Sequence, residues 1–454
     1  MKNNEDVVNE KPHNWLFHLH AISLYVFCAL SYSLVFFHRS APSVVTKDMA
    51  ISFGVSTSDL TIFSSIYFWT YALLQPFCGL LSDLIDAKYL IGFAAIIASI
   101  GSFFCGISQK LGLAVFGRFV VGFGTAITFI PILKTISRWF PTRLYATLNG
   151  VMISCGGAGG VLAQAPLKAF AAKYGWRWAF YGVAIIGFVL GVIILIIVKA
   201  DPTSFGYKSV NEVLPSSNAP LTLSSGLSTL WSNFKKAIAT PTVLKICSFV
   251  FKIVGSFLNL YGLWAGPYLR NVFPQFNDGN MLLSLSLALI LGNLILPWLS
   301  NTLQTRKWVL FGCALIPTLC ALLIMLMDTK MSSLVLFIVL FVWGTATGAA
   351  SSITFPTIAE NVDPTIIATS MGIANVFSFL GAAILQTLTG QILDHYHPNS
   401  LNYSHKAYMV GLWLPMIICT GVSMIEPLLL VDNLVKTNAS AKEQDKEKEN
   451  IEEL

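Results

Sequence analysis

An arginine and a histidine stand side by side inside a long apolar segment. The stretch YSLVFFHRSAPSV, residues 32–44, places His38 and Arg39 after an apolar run that begins near Trp15. A guanidinium group offers paired donors that match a carboxylate or a phosphate. Within a bilayer it is unfavourable by roughly 3 to more than 10 kcal/mol, so it faces a cavity or a partner. The pattern indicates that Arg39 binds an anionic group in a central cavity; the open alternative is a side chain that reaches the outer headgroups.

The imidazole of His38 is the candidate for proton chemistry in the middle of the apolar segments. Its charge can change near neutral pH, and proton-coupled movement of a solute needs such a group inside the membrane. The carboxylates lie near the predicted segment ends: Asp83, Glu360 and Glu426 on the cytoplasmic side, and Asp48, Asp59 and Asp394 outside. Either His38 carries a proton, or the solute moves by facilitated diffusion or exchange, which we favour. His38 could equally be a packed interfacial residue.

Several other polar or aromatic side chains interrupt the apolar segments. They could complete a binding pocket around Arg39: Tyr67, Tyr71, Thr125, Gln164, Asn259, Tyr261, Trp264, Asn375 and Gln386. Taken one at a time, such residues more often form hydrogen bonds between helices than contacts with a ligand. We expect about half of them to face the cavity.

The elements that must position these side chains are membrane-spanning helices. The chain of 454 residues is 55% hydrophobic and 11% charged, whereas a soluble domain devotes about a quarter of its residues to charge. Segments of about 20 apolar residues, the length needed to cross the hydrocarbon core, recur along it. The sequence predicts an all-α membrane protein with twelve transmembrane helices.

An internal repeat appears when the second half is slid over the first by 222 positions. Phe119, Gly150, Gly159 and Gln164 then meet Phe341, Gly372, Gly381 and Gln386, together with further identities across about 46 residues. The first six spans therefore recur as the last six. Because an even number of spans separates the two copies, both run in the same direction through the membrane. Transporters of this build place their substrate near the midplane, between the halves. Arg39 corresponds to Tyr261, so the segment NLYGLWAGPYL would form the facing wall.

Charge and composition divide the chain into five parts. Lys and Arg concentrate on the side that carries both termini, which predicts cytoplasmic ends. We expect a cytoplasmic tail (1–14), an N-terminal six-helix bundle (15–200), a cytoplasmic linker with an interfacial helix (201–241), a C-terminal six-helix bundle (242–432) and a disordered cytoplasmic tail (433–454). The linker helix has an apolar face that includes Trp231 and Phe234, beside Lys235 and Lys236.

Four motifs in or at the ends of spans resemble the major facilitator superfamily. GLLSDLIDAK, Gly79 to Lys88, resembles the loop signature of that family in part. RFVVGFG from Arg118 resembles its fourth-span motif, and RWFP from Arg138 and GWRWAF from Gly175 follow in the family order. The resemblance covers roughly residues 15 to 432. It implies the major facilitator fold and a carrier that works by alternating access without ATP.

The first two spans resemble one branch of that superfamily more closely. The stretch FFHRSAPSVV…LQPFCG is similar to organic-anion transporters of the sugar-acid and organophosphate type, the anion:cation symporters. The resemblance implies an anion-binding role for Arg39, and Tyr71 and Gln75 fit the same pattern. Proton-coupled sugar-acid members carry carboxylates where this chain has His38 and Thr125, so proton coupling is in doubt.

Charged residues at the predicted inner ends of the spans could act as a gate. Asp83, Lys88, Arg138 and Glu360 could form ion pairs that hold the halves closed on that side, with Arg118 pairing with backbone carbonyls or shaping the cavity. The alternative is that these residues anchor helix ends in the headgroups, with about 1 kcal/mol or less each.

These features predict a transporter of a small organic solute, an organic anion, and not an enzyme. We expect a monomer in the lipid bilayer, in the inner or plasma membrane, with a small-molecule solute and a proton as its candidate partners. We expect no nucleic acid and no cofactor as partners. The eight cysteines form no CxxC pair, so we expect no metal site either. Three alternatives remain open: a carrier of amino acids or short peptides, an exporter of cationic drugs, for which a buried acid is missing, and a non-transporting membrane sensor or scaffold on the same fold.

Overall fold

The computed structural model describes residues 15–199, 201–207, 210, 223–327, 330–363, 366–397 and 402–431. The predicted tails, 1–14 and 433–454, and much of the predicted linker lie outside these residues. Helix α2 is described at Asp83, but the Asp83 side chain lies outside the described part.

The first half of the chain folds into eight helices, most of them long enough to span a membrane. They are α1 (Trp15–Phe53), α2 (Leu60–Leu84), α3 (Ala87–Ile107), α4 (Leu111–Ala126), α5 (Phe129–Trp139), α6 (Thr142–Leu162), α7 (Ala165–Tyr174) and α8 (Trp176–Ile197). Helices α4 and α5 form one span, as do α6 and α7. Each of these spans is interrupted by a two-residue break.

The second half begins with the linker helix α9 (Leu223–Ala239) and repeats the pattern. It continues with α10 (Pro241–Asn259), a π-helical turn (Leu260–Trp264), α11 (Ala265–Val272), α12 (Asp278–Thr302), α13 (Lys307–Met327), α14 (Ser333–Gly348), α15 (Ser351–Asn361) and α16 (Ile367–Tyr396). The last span consists of α17 (His405–Tyr408), a second π-helical turn (Met409–Trp413), α18 (Leu414–Val422) and α19 (Ile425–Leu428).

The predicted all-α membrane architecture is confirmed. Among the described residues, eleven helical segments are long and apolar enough to cross a membrane, and α2 adds a further helix of 25 residues. The apolar pattern predicts a first span over residues 15–41, and the helix is longer than this because it continues past Pro42 to Phe53. A proline within a helix is tolerated in membrane proteins where neighbouring groups satisfy the freed backbone. Pro42 frees the His38 carbonyl, which here accepts from Arg118 Nη1 at 2.8 Å.

The chain forms two compact units. The first contains the described residues within Met1–Ala41 and Leu73–Ser228, and the second contains those within Pro42–Ala72 and Thr229–Leu454. In the first unit α3 packs on both α4 and α8, and in the second α10 packs on α16 and α12 on α14. Helices α1 and α2 therefore each contribute one part to each unit.

Glycines of the sequence repeat mark the same helix crossing in both units. A Cβ added at Gly159 would lie 1.9 Å from the Ser33 carbonyl oxygen in the first unit. In the second unit a Cβ at Gly381 would lie 2.0 Å from the Phe251 carbonyl oxygen, and one at Gly255 would lie 2.8 Å from Gly381. Ser33 and Gly255 are repeat partners, as are Gly159 and Gly381. Small residues allow this close backbone approach between membrane helices.

Candidate functional site

Arg39 lies inside the protein, far from either end of its helix. Phe53 ends α1 fourteen residues later, about 21 Å along the helix axis. The residue is 7% exposed, and its guanidinium carbon lies 4.6 Å from the centre of the Phe36 ring. The guanidinium is therefore surrounded by protein and stacks on an aromatic face, an arrangement that favours a cation over the ring.

Arg118 of α4 is bound to the same turn of α1. Its Nη1 donates a hydrogen bond of 2.8 Å to the His38 carbonyl oxygen, and the Arg118 side chain is fully buried. A charged donor on a backbone carbonyl makes a stronger bond than a neutral one. The two arginines and His38, which is buried as well, form the cationic cluster of the first unit.

Two other predicted site residues of the first unit, Thr125 and Gln164, differ in their hydrogen bonding. Thr125 Oγ1 donates to the Val121 carbonyl of its own helix at 2.9 Å, as buried threonines in helices commonly do. Gln164 lies at the break between α6 and α7 and is fully buried. Its amide oxygen and nitrogen have no hydrogen-bond partner among the described residues. A buried polar group left unpaired requires an explanation, and the role of Gln164 in binding stays a prediction.

Two predicted aromatic site residues of the second unit lie next to each other, and one of them packs on a phenylalanine. The Tyr71 and Phe379 ring centres are 4.1 Å apart, and the Tyr67 and Tyr71 ring centres are 6.0 Å apart. Both tyrosines are buried, whereas Asn375, one turn before Phe379 on α16, is half-buried. Phe379 is not among the site residues predicted from the sequence.

The remaining predicted site residues surround the first π-helical turn. Asn259 Nδ2 donates to Thr389 Oγ1 at 3.2 Å, and the Tyr261 hydroxyl lies 3.3 Å from Ser286 Oγ. Trp264 Nε1 donates to the Gln386 carbonyl at 3.3 Å. Turns of this kind are rare and occur often at functional sites, which is consistent with a wall that the sequence analysis placed at this segment.

Gln386 is the repeat partner of Gln164 and is, like Gln164, a buried glutamine with an amide oxygen that is unpaired within the described part of the chain. Its Nε2 donates to the Leu258 carbonyl at 3.1 Å, while its Oε1 is buried and has no hydrogen-bond partner among the described residues. Asn259 Oδ1 is likewise buried and has no hydrogen-bond partner among the described residues. Each unit therefore holds at least one glutamine amide with unused hydrogen-bonding capacity.

Two predicted gate residues, Arg138 and Glu360, form ion pairs within their own unit. Arg138 Nη1 lies 3.1 Å from Asp201 Oδ2, and Glu360 Oε1 lies 2.9 Å from Arg306 Nη2. The Lys88 backbone N–H donates to Asp86 Oδ1 at 2.8 Å, capping α3. Sequence reasoning missed Asp201 and Arg306 as partners. The gating role of these residues stays a prediction.

The loop signature and the RWFP segment meet at one cleft of the first unit. The cleft, of about 220 Å³, is lined among others by Ser82, Asp86, Lys134 and Arg138. Lys134 Nζ donates to the Ser82 carbonyl oxygen, 52 positions earlier in the chain. Two segments far apart in the sequence thus form one charged surface.

An ion pair between Lys252 of α10 and Glu426 of α19 was also missed. Glu426 Oε1 accepts from Lys252 Nζ and from Ser248 Oγ at 2.8 Å. The signal was present in the sequence, because one cation and one anion lie towards the same predicted side of the membrane in spans seven and twelve.

Two repeated bundles of membrane-spanning helices, with buried cations and amides inside them, define a multi-pass membrane protein of the transporter class. The sequence profile of the Major Facilitator Superfamily matches residues 28–385, well over half of the chain. The chain belongs to this superfamily, and the resemblance found in its motifs is confirmed. It is thereby classed with transporters and not with enzymes.

Curated relatives of the chain include transport proteins and a sensor. A probable hexose phosphate transport protein of Chlamydia trachomatis is 22% identical over 294 residues, which cover 61% of this chain and 64% of that protein. The membrane sensor protein UhpC of Escherichia coli is 22% identical over 187 residues, 40% of this chain and 42% of UhpC. The efflux pump hmp6 of Hypomyces subiculosus is 29% identical over 192 residues, 41% of this chain and 34% of the pump. The matched stretches span between about one third and two thirds of these relatives.

Solved structures share the fold over nearly their whole length. A bacterial homologue of the human lysosomal transporter Spinster, inward-facing and unoccupied, has a TM-score of 0.69 at 17% identity, covering 90% of this chain and 96% of that one. The nucleoside transporter NupG, in a single-residue mutant form, has a TM-score of 0.66 at 14% identity, covering 88% and 99%. At these identities the likeness concerns the fold.

Proposed function

We propose that the protein is an alternating-access transporter of a small organic anion and that Arg39 binds the anionic group. The observation that carries this proposal is the burial of Arg39 about 21 Å from the end of α1. A cation that the surrounding protein withdraws from water is too costly to keep for packing alone. Protein on all sides of it argues against a side chain directed at the headgroups.

The chemistry of the cluster favours an acidic solute over a basic one. Arg39 and Arg118 add two positive charges beside His38, and like charges disfavour a cationic ligand. A guanidinium pairs with two oxygens of a carboxylate or phosphate. The names of two relatives, a probable hexose phosphate transport protein and a probable anion transporter of Oryza sativa, agree with this class.

A non-transporting sensor is the second candidate function, and one observation favours it. The Escherichia coli relative is named a membrane sensor protein, so this chain is similar to a protein named for sensing as well as to proteins named for transport. A carrier of amino acids or short peptides is a third candidate, because Arg39 could also hold their carboxylate. We further propose that the protein acts as a monomer in the inner or plasma membrane, with both termini in the cytoplasm.

Binding and flux measurements on the purified protein separate these candidates. Wild-type protein is screened by thermal shift against glucose 6-phosphate, inorganic phosphate, gluconate and a dipeptide, since a ligand of the folded state raises the melting temperature. The probe that raises the melting temperature is then tested for uptake into proteoliposomes. A transporter gives binding and uptake, whereas a sensor gives binding alone.

Substitution of Arg39 tests the site itself. We expect Arg39→Gln to remove binding of the anion that binds in the thermal-shift screen. Arg39→Lys should retain part of this binding, because an ammonium keeps the charge but loses the paired geometry. Arg177→Gln is the matched control, since Arg177 Nη2 is bound to the Ser108 carbonyl at 2.9 Å. Wild-type affinity in Arg39→Gln would remove the anion-site proposal.

A further inference from the structure

Helix α9 carries large apolar side chains that the rest of the described chain leaves uncovered. Leu227, Trp231 and Ile238 are 41%, 59% and 36% exposed, and their spacing places them on one face of the helix. Phe234 continues this face, with its ring stacked on that of Trp231 at 5.7 Å between the ring centres. These four side chains form the apolar face of α9.

The other sides of α9 differ from the apolar face. Ala237 is fully buried, so its side of the helix packs on the protein. Ser232, Lys235 and Lys236 are polar and exposed. An exposed apolar strip next to a polar, basic side is typical of a helix that lies at a membrane surface.

The connection to the next helix keeps the apolar face close to the bilayer. Helix α10 begins the span Pro241–Val272, and Thr240 alone separates it from α9. One residue reaches at most about 3.6 Å. Thr240 is extended, with φ −85° and ψ 114°, so the two helices do not continue along one axis. The last turn of α9 therefore lies beside the point at which α10 enters the membrane.

The charges along this part of the chain are positive. From Val213 to Val250 the sequence contains Lys235, Lys236 and Lys245 and no Asp or Glu. Lys245, on α10, donates to the Leu429 carbonyl oxygen at 2.8 Å. Lys235 and Lys236 are thus the cations that α9 itself presents to its surroundings, and they complement a negatively charged surface.

The two lysines lie on different sides of α9. Lys235 follows Trp231 by one helical turn, and its Nζ lies 5.2 Å from the centre of the Trp231 ring. This contact attracts the ammonium to the aromatic ring, at the border of the apolar face. Lys236 is rotated by about 100° further round the helix, away from that face. A bilayer that takes up the apolar face therefore meets Lys235 at the depth of its headgroups.

We propose that α9 binds the surface of the lipid bilayer and that Lys235 selects anionic phospholipids there. Leu227, Trp231 and Ile238 enter the boundary between headgroups and acyl chains. The Lys235 ammonium pairs with the headgroup of a lipid of net negative charge, such as phosphatidylglycerol. This lipid contact goes beyond the proposed function and does not depend on it.

Fluorescence quenching on the full-length protein in lipid nanodiscs tests the membrane contact. The dye NBD is attached to Leu227→Cys, and to Ser232→Cys as the matched control on the polar side of α9. Wild-type protein gives the background from its native cysteines. We expect doxyl-labelled lipid to quench the dye severalfold more strongly at residue 227 than at residue 232. Equal quenching at the two positions would overturn the proposal and leave a second copy or another protein as the occupant of the apolar face.

The choice of lipid is tested with the same dye at residue 227. Phosphatidylcholine nanodiscs receive an equal small fraction of doxyl-labelled phosphatidylglycerol or doxyl-labelled phosphatidylcholine, and the ratio of the two quenching efficiencies measures enrichment of the anionic lipid at α9. We expect a ratio above one that falls as salt is added, because salt screens exposed charges. A ratio of one would overturn the selection of anionic lipid.

Substitution of the two lysines assigns the selection to one side chain. We expect Lys235→Gln to reduce the enrichment by roughly fivefold, the effect of one lysine close to an anionic surface. Lys236→Gln is the matched control, since it loses the same charge on the other side of the helix and should keep most of the enrichment. Both lysines are exposed, so both variants should melt at the wild-type temperature. Equal losses in the two variants would contradict the role of Lys235.

These measurements contain no solute and are therefore independent of the proposed function. If the enrichment depends on Lys235 but no anion is bound or moved, the lipid site stands and the organic-anion function fails. If an anion is moved but residue 227 is not quenched by lipid, the function stands and the lipid site fails.

Discussion

Arg118 donates a hydrogen bond of 2.8 Å to the backbone carbonyl of His38, the residue directly before Arg39. An arginine of α4 thereby holds the turn of α1 that presents the proposed anion-binding arginine. Because Arg118 acts on the backbone, its effect on a bound anion passes through the position of Arg39. Arg118 is a positioning residue in this view.

The first prediction concerns this contact. Arg118→Gln removes a buried charged donor, whose bond contributes about 1.5 to 3 kcal/mol. We expect a lower melting temperature and an anion affinity reduced by roughly tenfold or more, with binding still measurable, in contrast to Arg39→Gln. Thermal shift and equilibrium binding of the anion that binds in the thermal-shift screen measure the two effects. Unchanged affinity in a folded Arg118→Gln protein would contradict the positioning role.

The second prediction uses the glycines of the repeat. Gly159→Ala and Gly381→Ala each bring a Cβ to within 2.0 Å of a backbone carbonyl oxygen, so the crossing helices must move apart. Overpacking of this kind costs about 1 to 3 kcal/mol. We expect both variants to unfold at lower temperature in detergent.

The matched controls for that prediction come from the same repeat. Gly150 and Gly372 are also partners at the 222 offset, and a Cβ at either position meets nothing within 4 Å. Alanine favours the helix over glycine by roughly 1 kcal/mol, so Gly150→Ala and Gly372→Ala should be neutral or stabilising. Equal losses at all four positions would show that the close crossings are not the cause.

The third prediction compares two ion pairs of different burial. Arg306 and Glu360 are 10% and 12% exposed, and Arg306 also donates to Ser300 Oγ at 2.8 Å. Removing one partner of a buried pair costs about 3 to 5 kcal/mol. Arg138 and Asp201 are 45% and 32% exposed, and an exposed pair contributes about 0 to 1 kcal/mol. We expect Glu360→Gln to lower the melting temperature clearly and Asp201→Asn to leave it nearly unchanged; the reverse order would contradict this assignment.

The fourth prediction tests whether α2 and α16 separate during function. A Cβ at Gly390 would lie 3.4 Å from Thr61 Cβ within the second unit, close to the separation across a disulfide. We expect Thr61→Cys/Gly390→Cys to form a disulfide and to lose anion uptake when oxidised, with recovery on reduction. Single variants under oxidation are the controls, since the native cysteines are not paired with each other. Full uptake by the oxidised double variant would exclude a cycle in which this contact opens.

The end of α1 is a feature that the sequence pattern did not predict correctly. The predicted first span covers residues 15–41, and a proline such as Pro42 usually marks a helix end. The helix instead runs to Phe53, and this places Arg39 deeper within it than predicted. Local signals failed here since the residues from Pro42 onward belong to the second unit, and tertiary contacts outweigh local preference.

The partners of charged residues could not be read from the sequence for a related reason. Lys252 and Glu426 are 174 positions apart, and Arg306 and Glu360 are 54 apart. Whether two such side chains meet depends on the rotation of each helix about its axis and on the packing of small residues between them. A repeat offset aligns equivalent positions, but it does not give contacts between different spans.

The sequence by itself determined that the chain crosses a membrane many times, that its second half repeats its first, and that one arginine lies too deep in an apolar segment to be there without a reason. These follow from composition and periodicity, because hydrocarbon admits few charges and satisfies no backbone group. The tertiary structure decided that Arg39 lies inside the protein on Phe36, that Arg118 holds its turn, and that Glu426 pairs with Lys252. Those contacts arise only when helices far apart in the chain pack side by side and remove particular groups from water and lipid together.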